Sequence, residues 1–211
     1  MGGLLILGAG GHGKVVAEIA MLSLKWDSIA FLDDQENLLE VLGIPIKGRL
    51  ADYTLFTQEY KFAFVAIGNN KLRLQLINKL SKAGYIVPTL IHPNSTISNH
   101  VSIGEGTVIM AGSVINAETT IGKGCIINTS CSIDHDCVIE DGVHISPGSN
   151  LAGTVRIGQL SWVCLGACVS NNVTVGQNVI IAAGSAVIKD VSENLMVGGI
   201  PSSILKKIKG E

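Results

Sequence analysis

One histidine stands between two acidic residues in a way that suits acyl transfer. His135 lies between two carboxylates in the run Asn128-Thr129-Ser130-Cys131-Ser132-Ile133-Asp134-His135-Asp136-Cys137. An imidazole can take a proton from an attacking amine or hydroxyl near neutral pH, and a neighbouring carboxylate holds its tautomer and favours its charged form. The reaction also needs a donor for the developing oxyanion. Gly153, further along the chain, offers a backbone N–H with no side chain in the way. On residue type alone, His135 equally fits a solvated surface histidine. Whether it meets Gly153 depends on the elements that carry both.

Those elements are set by a six-residue period. From Ile91 to Val187, every sixth residue is Ile, Leu or Val: seventeen in succession, with no insertion. Two residues before each stands a small or β-branched residue, running from Ser95 and Val101 to Val179 and Ser185. This beat matches neither the 3.6-residue repeat of a helix nor the alternation of a long strand. It fits short strands joined by turns, each with one large apolar side chain in a shared core. Gly104, Gly122, Gly158 and Gly176 follow repeat aliphatics and are spaced by three, six and three hexads, so three hexads make one coil of a triangular prism. His135 and Gly153 are themselves three hexads apart, and are expected on adjacent coils, one above the other. His135 and His144 both fall outside the inward slots. Cys125, Cys131 and Cys137 occupy the small inward slot and read as core fillers rather than zinc ligands. No metal site is expected. A zinc hydratase on such a prism would need three convergent histidines, and only His135 and His144 lie in its middle coils. His92 and His100, at the junction and first coil, read as structural. Lys206-Lys207-Ile208-Lys209 reads as a solvated end.

The first part of the chain has a different pattern. Leu4–Leu7 is a short apolar run followed by Gly8-Ala9-Gly10-Gly11-His12-Gly13, a G-x-G-x-x-G turn, and then a helical segment from Lys14 to about Leu24. A second apolar run, Ile29–Leu32, ends in Asp33-Asp34. Those carboxylates follow Gly13 by about 20 residues, the spacing of an acidic group that binds a ribose hydroxyl. A third run, Phe62–Ile67, ends in Gly68-Asn69-Asn70 before a helix from about Lys71 to Lys82. Glycines let backbone approach a phosphate, and loops after parallel strands are where such folds bind ligands. The same glycines also fit a tight strand-to-helix turn with no ligand. The expected organisation is a small Rossmann-like parallel-sheet domain over residues 1–88 and a prism over 89–211. A nicotinamide dehydrogenase would need a fuller dinucleotide domain and a catalytic substrate domain.

Composition narrows the partners. Fifteen Lys+Arg against seventeen Asp+Glu give a net charge of -2, and only 4% of residues are aromatic. That argues against a nucleic-acid surface, which needs concentrated positive charge and stacking rings. No apolar run approaches the ~18 residues that span a bilayer, and the first residues lack the basic start of a signal peptide. Five cysteines without an export signal point to reduced thiols in a cytoplasm.

The whole pattern resembles one branch of the hexapeptide-repeat acyltransferases, the sugar acetyltransferases of the bacillosamine, perosamine and sialic-acid type. The resemblance rests on Gly8–Gly13, Ala66–Asn70 with Arg73, Ile91-His92-Pro93, Asn128-Thr129, Ile133–Cys137, Val143–Gly148 and Leu151–Gly153. It implies a left-handed parallel β-helix, acetyl-CoA as co-substrate without a metal, and a homotrimer with sites between prisms. It implies N-acetylation of a UDP- or GDP-linked 4-amino sugar in surface-glycan biosynthesis. By the same resemblance His135 is the general base oriented by Asp136, His144 and Gly153 hold the acetyl-CoA thioester, and Asn128 lines the acceptor site. Gly11, His12, Gly13, Asp33, Asp34, Gly68 and Asn69 then hold the nucleotide sugar. O-acetylation of sialic acid or another sugar is the alternative within acyl transfer, and a non-catalytic nucleotide-sugar-binding trimer is the alternative outside it. The carboxyl end reads Val197-Gly198-Gly199-Ile200-Pro201-Ser202, where the family usually has Gly-Asn-Pro-Ala.

Overall fold

The computed structural model describes residues 2–208, and Lys209 lies outside them. It divides between Pro93 and Asn94 into two compact units.

The first unit is built on a five-stranded sheet. Its strands are β1 (Leu4–Leu7), β2 (Ile29–Leu32), β3 (Glu40–Val41), β4 (Ile44–Gly48) and β5 (Phe62–Val65), in the order β3-β4-β2-β1-β5. β1 lies parallel to β2 and β5, with Ile6 opposite Phe31 and Phe64. All four residues of β1 are fully buried, which is why the strand reads as a continuous apolar run rather than an alternation. Helix α1 (Gly11–Ser23) follows β1 and buries Gly13, Val16, Ala17, Ile19 and Ala20, a stripe at three- and four-residue spacing. It begins ahead of the expected Lys14, because the turn glycines form its first turn. Gly13 has no alternative there: a Cβ would collide with the Gly8 carbonyl oxygen. Helix α2 (Asn70–Lys82) follows β5, capped by the Asn69 side chain, which accepts from Leu72 N–H at 2.9 Å.

The second unit is a left-handed parallel β-helix with three walls. Two-residue strands stack one coil apart: Ser132–Ile133 pairs with Asn150–Leu151 on the first wall, Val138–Ile139 with Arg156–Ile157 on the second, and His144–Ile145 with Trp162–Val163 on the third. The inward aliphatics from Ile109 to Val187 form one continuous buried column. The column is less covered at its start, where Ile97 and Ile103 are only partly buried and Ile91 is exposed.

The small inward slot has a polar task besides packing. Thr107, Ser113, Thr119, Ser149 and Ser161 are each almost fully buried, and each hydroxyl donates to a carbonyl on the next coil, at 2.7–2.9 Å. Cys125, Cys131 and Cys137 do the same with thiols, reaching Glu140, Ser146 and Ala152 carbonyls at 3.1–3.2 Å. Corner carbonyls that point inward would otherwise be buried without partners. Burial raises the Cys131 thiol to about 12, so this cysteine stays protonated and inert.

Lys206 and Lys207 are solvated, as expected, but ordered. Both belong to a strand, Ser203–Lys207, that runs antiparallel along Leu195–Gly198 with all its residues exposed.

Candidate active site

The turn from the first to the second wall carries His135. At its base the Thr119 hydroxyl donates to the Asp134 carbonyl at 2.7 Å, so the turn is anchored from the core. Asp136 follows in a left-handed conformation, φ 58°, as do Glu118, Thr154 and Asn172 at the matching corner of neighbouring coils. The winding imposes that conformation, and an aspartate tolerates it better than most residues.

Three acidic or amide groups fix the surroundings of the imidazole. Asp136 Oδ2 lies 2.7 Å from His135 Nδ1. A carboxylate only accepts, so Nδ1 carries the proton and Nε2 presents a lone pair. Asp134 Oδ1 accepts from Asn116 Nδ2 at 2.8 Å and from His135 N–H at 2.9 Å. Both carboxylates hold the His135 pKa above its ordinary value, through the hydrogen bond to Asp136 first and the charge of Asp134 second. The side chain itself remains 57% exposed.

Gly153 sits directly over this ring, as the coil length requires. A Cβ built on it would stand 2.6 Å from His135 Cε1 and 2.7 Å from Nε2. Thr154 N–H donates to the His135 carbonyl at 2.9 Å, and the Gly153 carbonyl accepts from Asn172 N–H at 3.1 Å. The Gly153 N–H takes no part in the backbone ladder among the described residues.

His144 belongs to a different place on the same chain. It lies on the third wall, where Asn128 Nδ2 is 3.2 Å from its Nε2. Asn128 Oδ1 accepts from Thr129 N–H at 2.8 Å, which leaves the amide nitrogen to face the imidazole. Nε2 of His144 is therefore the acceptor, and its Nδ1 carries the hydrogen. Within one chain, then, His135 groups with Asp136 and Gly153, and His144 groups with Asn128. The family resemblance gives His144 and Gly153 a shared role at the thioester; within one prism His144 stands on the third wall and Gly153 against His135.

The first unit gathers its expected residues at the ends of β1, β2 and β5. Gly10, Gly11 and Gly68 face open space, where an added Cβ would meet nothing within 4 Å. Asp33 Oδ2 accepts from Ala9 N–H at 2.7 Å and its Oδ1 from Gln35 N–H at 2.8 Å, so this carboxylate ties the two loops together. Asp34 accepts from Leu50 N–H at 3.0 Å. His12 has a buried Nε2 with no hydrogen-bond partner, and burial, followed by the charge of Arg73, lowers its pKa to about 4. Arg73 is 1% exposed; its guanidinium donates to the Ile67 and Gly68 carbonyls and to Asn70 Oδ1. The imidazole is therefore neutral, and the buried cation beside it holds the Ile67–Asn70 loop.

Neither Trp162 nor Ser146, both in contact around His144, was singled out by residue type. The signal was present: Trp162 lies three hexads beyond His144, the same interval that places Gly153 over His135. Among the described residues no group of three or more His, Cys, Asp or Glu is arranged to hold a metal ion. No helix there is long and apolar enough to cross a membrane.

A left-handed prism carrying an imidazole–carboxylate pair under a bare glycine is the architecture of a hexapeptide-repeat acyltransferase. Residues 3–80 match the PglD N-terminal domain, and residues 118–153 match the bacterial transferase hexapeptide family. The acetyltransferase domain of PglB from Neisseria gonorrhoeae, solved with acetyl coenzyme A, is 39% identical with TM-score 0.93, over 96% of this chain and 98% of that one. PerB from Caulobacter crescentus, solved with CoA and GDP-perosamine, is 36% identical with TM-score 0.92, over 98% of each chain. UDP-N-acetylbacillosamine N-acetyltransferase of Bacillus subtilis is 38% identical over 120 residues, 53% of this chain. The match spans about half of that curated relative, 52% of its length. The chain belongs to the hexapeptide-repeat sugar acetyltransferases with a PglD-type amino-terminal domain.

An expected result follows from the His135–Asp136 pair. Asp136→Asn keeps the left-handed turn, since asparagine accepts positive φ readily, but removes the charge that favours the imidazolium. The His135 pKa then falls, so the acidic limb of the pH–rate profile moves to lower pH. Loss of the orienting carboxylate should lower kcat by about tenfold or more. A limb that stays in place would show that His135 does not titrate in the rate.

Proposed function

We propose that this chain is an acetyl-CoA-dependent N-acetyltransferase acting on the amino group of a UDP- or GDP-linked 4-amino sugar in surface-glycan biosynthesis. The observation that carries the reading is His135: Nδ1 held by Asp136, Nε2 basic and close against Gly153. The amine nitrogen adds to the thioester carbon, and His135 Nε2 takes the proton it loses. The carbonyl oxygen, gaining negative charge, accepts from the Gly153 N–H. The C–S bond breaks and CoA leaves as thiolate, which is then protonated. Glycine at 153 suits this arrangement because it lets the His135 ring lie close against the backbone, where a Cβ would collide with it.

A homotrimer completes the arrangement in this reading. His144 and Asn128 lie on a different wall from His135, so a neighbouring copy can bring the second pair to the first. Five free cysteines suit a reducing cytoplasm. In the first unit, the open glycine turns at Gly10, Gly11 and Gly68 supply the nucleotide-diphosphate site, Arg73 holds the Ile67–Asn70 loop in place from the inside, and the orphaned nitrogen of His12 gains a partner when the site is filled.

The direct test offers the purified chain a panel of UDP- and GDP-linked 4-amino sugars with acetyl-CoA and follows release of free thiol. N-acetylated product from at least one of them is expected; acetylation of hydroxyls only, or none, would overturn the reading. His12→Ala should weaken UDP or GDP binding about tenfold by calorimetry, the cost of a lost buried hydrogen bond. The acetyl-CoA KM should not move. Unchanged nucleotide affinity would remove His12 from the site.

A further inference from the structure

We infer that Trp162, anchored by Ser146, is a positioning residue that fixes the imidazole plane of His144. This rests on the acetyltransferase reading for what His144 does, and on geometry alone for the pairing. The two rings stack with centroids 5.6 Å apart and planes 6° from parallel. The indole N–H donates to Ser146 Oγ at 2.7 Å, and Ser146 is buried. Asn128 holds Nε2 of the same imidazole at 3.2 Å. One neighbour sets the plane of the ring and the other sets its rotation within that plane.

Packing of the wall does not require this arrangement. The column on this wall that contains the pair reads Val108, Ile126, His144, Trp162 and Ile180, of which Val108 and Ile126 are buried. Aliphatic residues serve one coil below and one coil above, and the tethered aromatic stands only against the imidazole. Trp162 is also 43% exposed, so much of its apolar surface stays in water. Burial alone therefore gives a weak reason for tryptophan here; an immobilised imidazole that meets the acyl end of acetyl-CoA gives a stronger one.

Three variants and one spectroscopic measurement test the inference. Trp162→Leu removes stack and tether, Trp162→Phe keeps the stack, and Ser146→Ala removes the tether. Trp162→Leu should raise the acetyl-CoA KM about tenfold and leave the amino-sugar KM unchanged, whereas Trp162→Phe should stay within about threefold of wild type. Should the leucine variant fail to fold, Ser146→Ala decides, with an acetyl-CoA KM raised about threefold. Independently, in a Trp26→Phe protein, Trp162 fluorescence should show a pH step from imidazole protonation that His144→Gln abolishes. An acetyl-CoA KM unmoved in every folded variant, or a fluorescence step that persists without His144, would overturn the assignment. Wild-type protein that transfers no acetyl group overturns the proposed function instead, and the fluorescence titration still decides the pairing.

Discussion

Replacing His135 by alanine should lower kcat about a thousandfold and leave the fold intact. General-base catalysis by a placed side chain contributes roughly 10²–10⁴ in rate, and a thousandfold loss corresponds to about 4 kcal/mol of barrier. The structure separates that loss from stability. The imidazole is 57% exposed, so its removal uncovers little apolar surface. The Thr154 N–H bond to the residue 135 carbonyl does not depend on the side chain, and neither does the Thr119 anchor beneath the turn. The melting temperature should stay within about two degrees of wild type, as for an exposed substitution away from core and caps. Both KM values should change little, because the proton moves only as the amine attacks. The residual rate should lose the pH limb that Asp136 and Asp134 set in the wild type. A variant with kcat within threefold of wild type would place the base elsewhere.

Much of this arrangement was legible in the residue order because the prism is nearly one-dimensional. A strict register means that position along the chain gives position on the wall, so Gly153 could be placed over His135 by counting. The same counting places Trp162 over His144, but an aromatic on a solvent-facing wall carries no chemical label. The first unit was less readable. β1, β2 and β5 stand out as uninterrupted apolar runs, but the β3–β4 hairpin does not: β3 has two residues, and Pro45 interrupts the pattern of β4. The short 3-10 helix Leu50–Phe56 packs Leu50, Tyr53 and Phe56 against the core, but three partly buried residues over seven positions make too short a period to stand out.

Spacing also says where a carboxylate lies without saying what its oxygens do. Asp33 stands where a ribose-binding residue is expected, yet both its oxygens accept from backbone amides of Ala9 and Gln35. His12 shows the opposite case. Nothing in its type distinguishes it from His92 or His100, and only burial reveals a nitrogen left without a partner. Gly13 is demanded by its close approach to the Gly8 carbonyl, whatever the loop binds.

Gly153→Ala should inactivate the protein while sparing its fold, and the reason lies in what the new methyl meets. Gly153 is not in the left-handed region, so alanine suits its backbone. The Cβ would fall 2.6 Å from His135 Cε1 and 2.7 Å from Nε2, and the ring must swing aside. For an exposed side chain that movement costs little stability, but it breaks the 2.7 Å alignment with Asp136. A displacement of about 1 Å can cost about a hundredfold in rate, and a fall in kcat of that size is expected. Gly158→Ala is the contrasting case: its Cβ would stand 2.5 Å from backbone atoms of Gly176 and Gln177, which cannot rotate away. That variant should lose folded protein, with normal turnover in whatever fraction folds. Alanine retains the residue 153 N–H, so the loss at that position comes through the imidazole. The double variant Gly153→Ala/His135→Ala should therefore be no slower than His135→Ala alone, because both changes act on one group. A further drop in the double variant, or single-variant turnover within threefold of wild type, would show that the glycine and the histidine do not work as a unit.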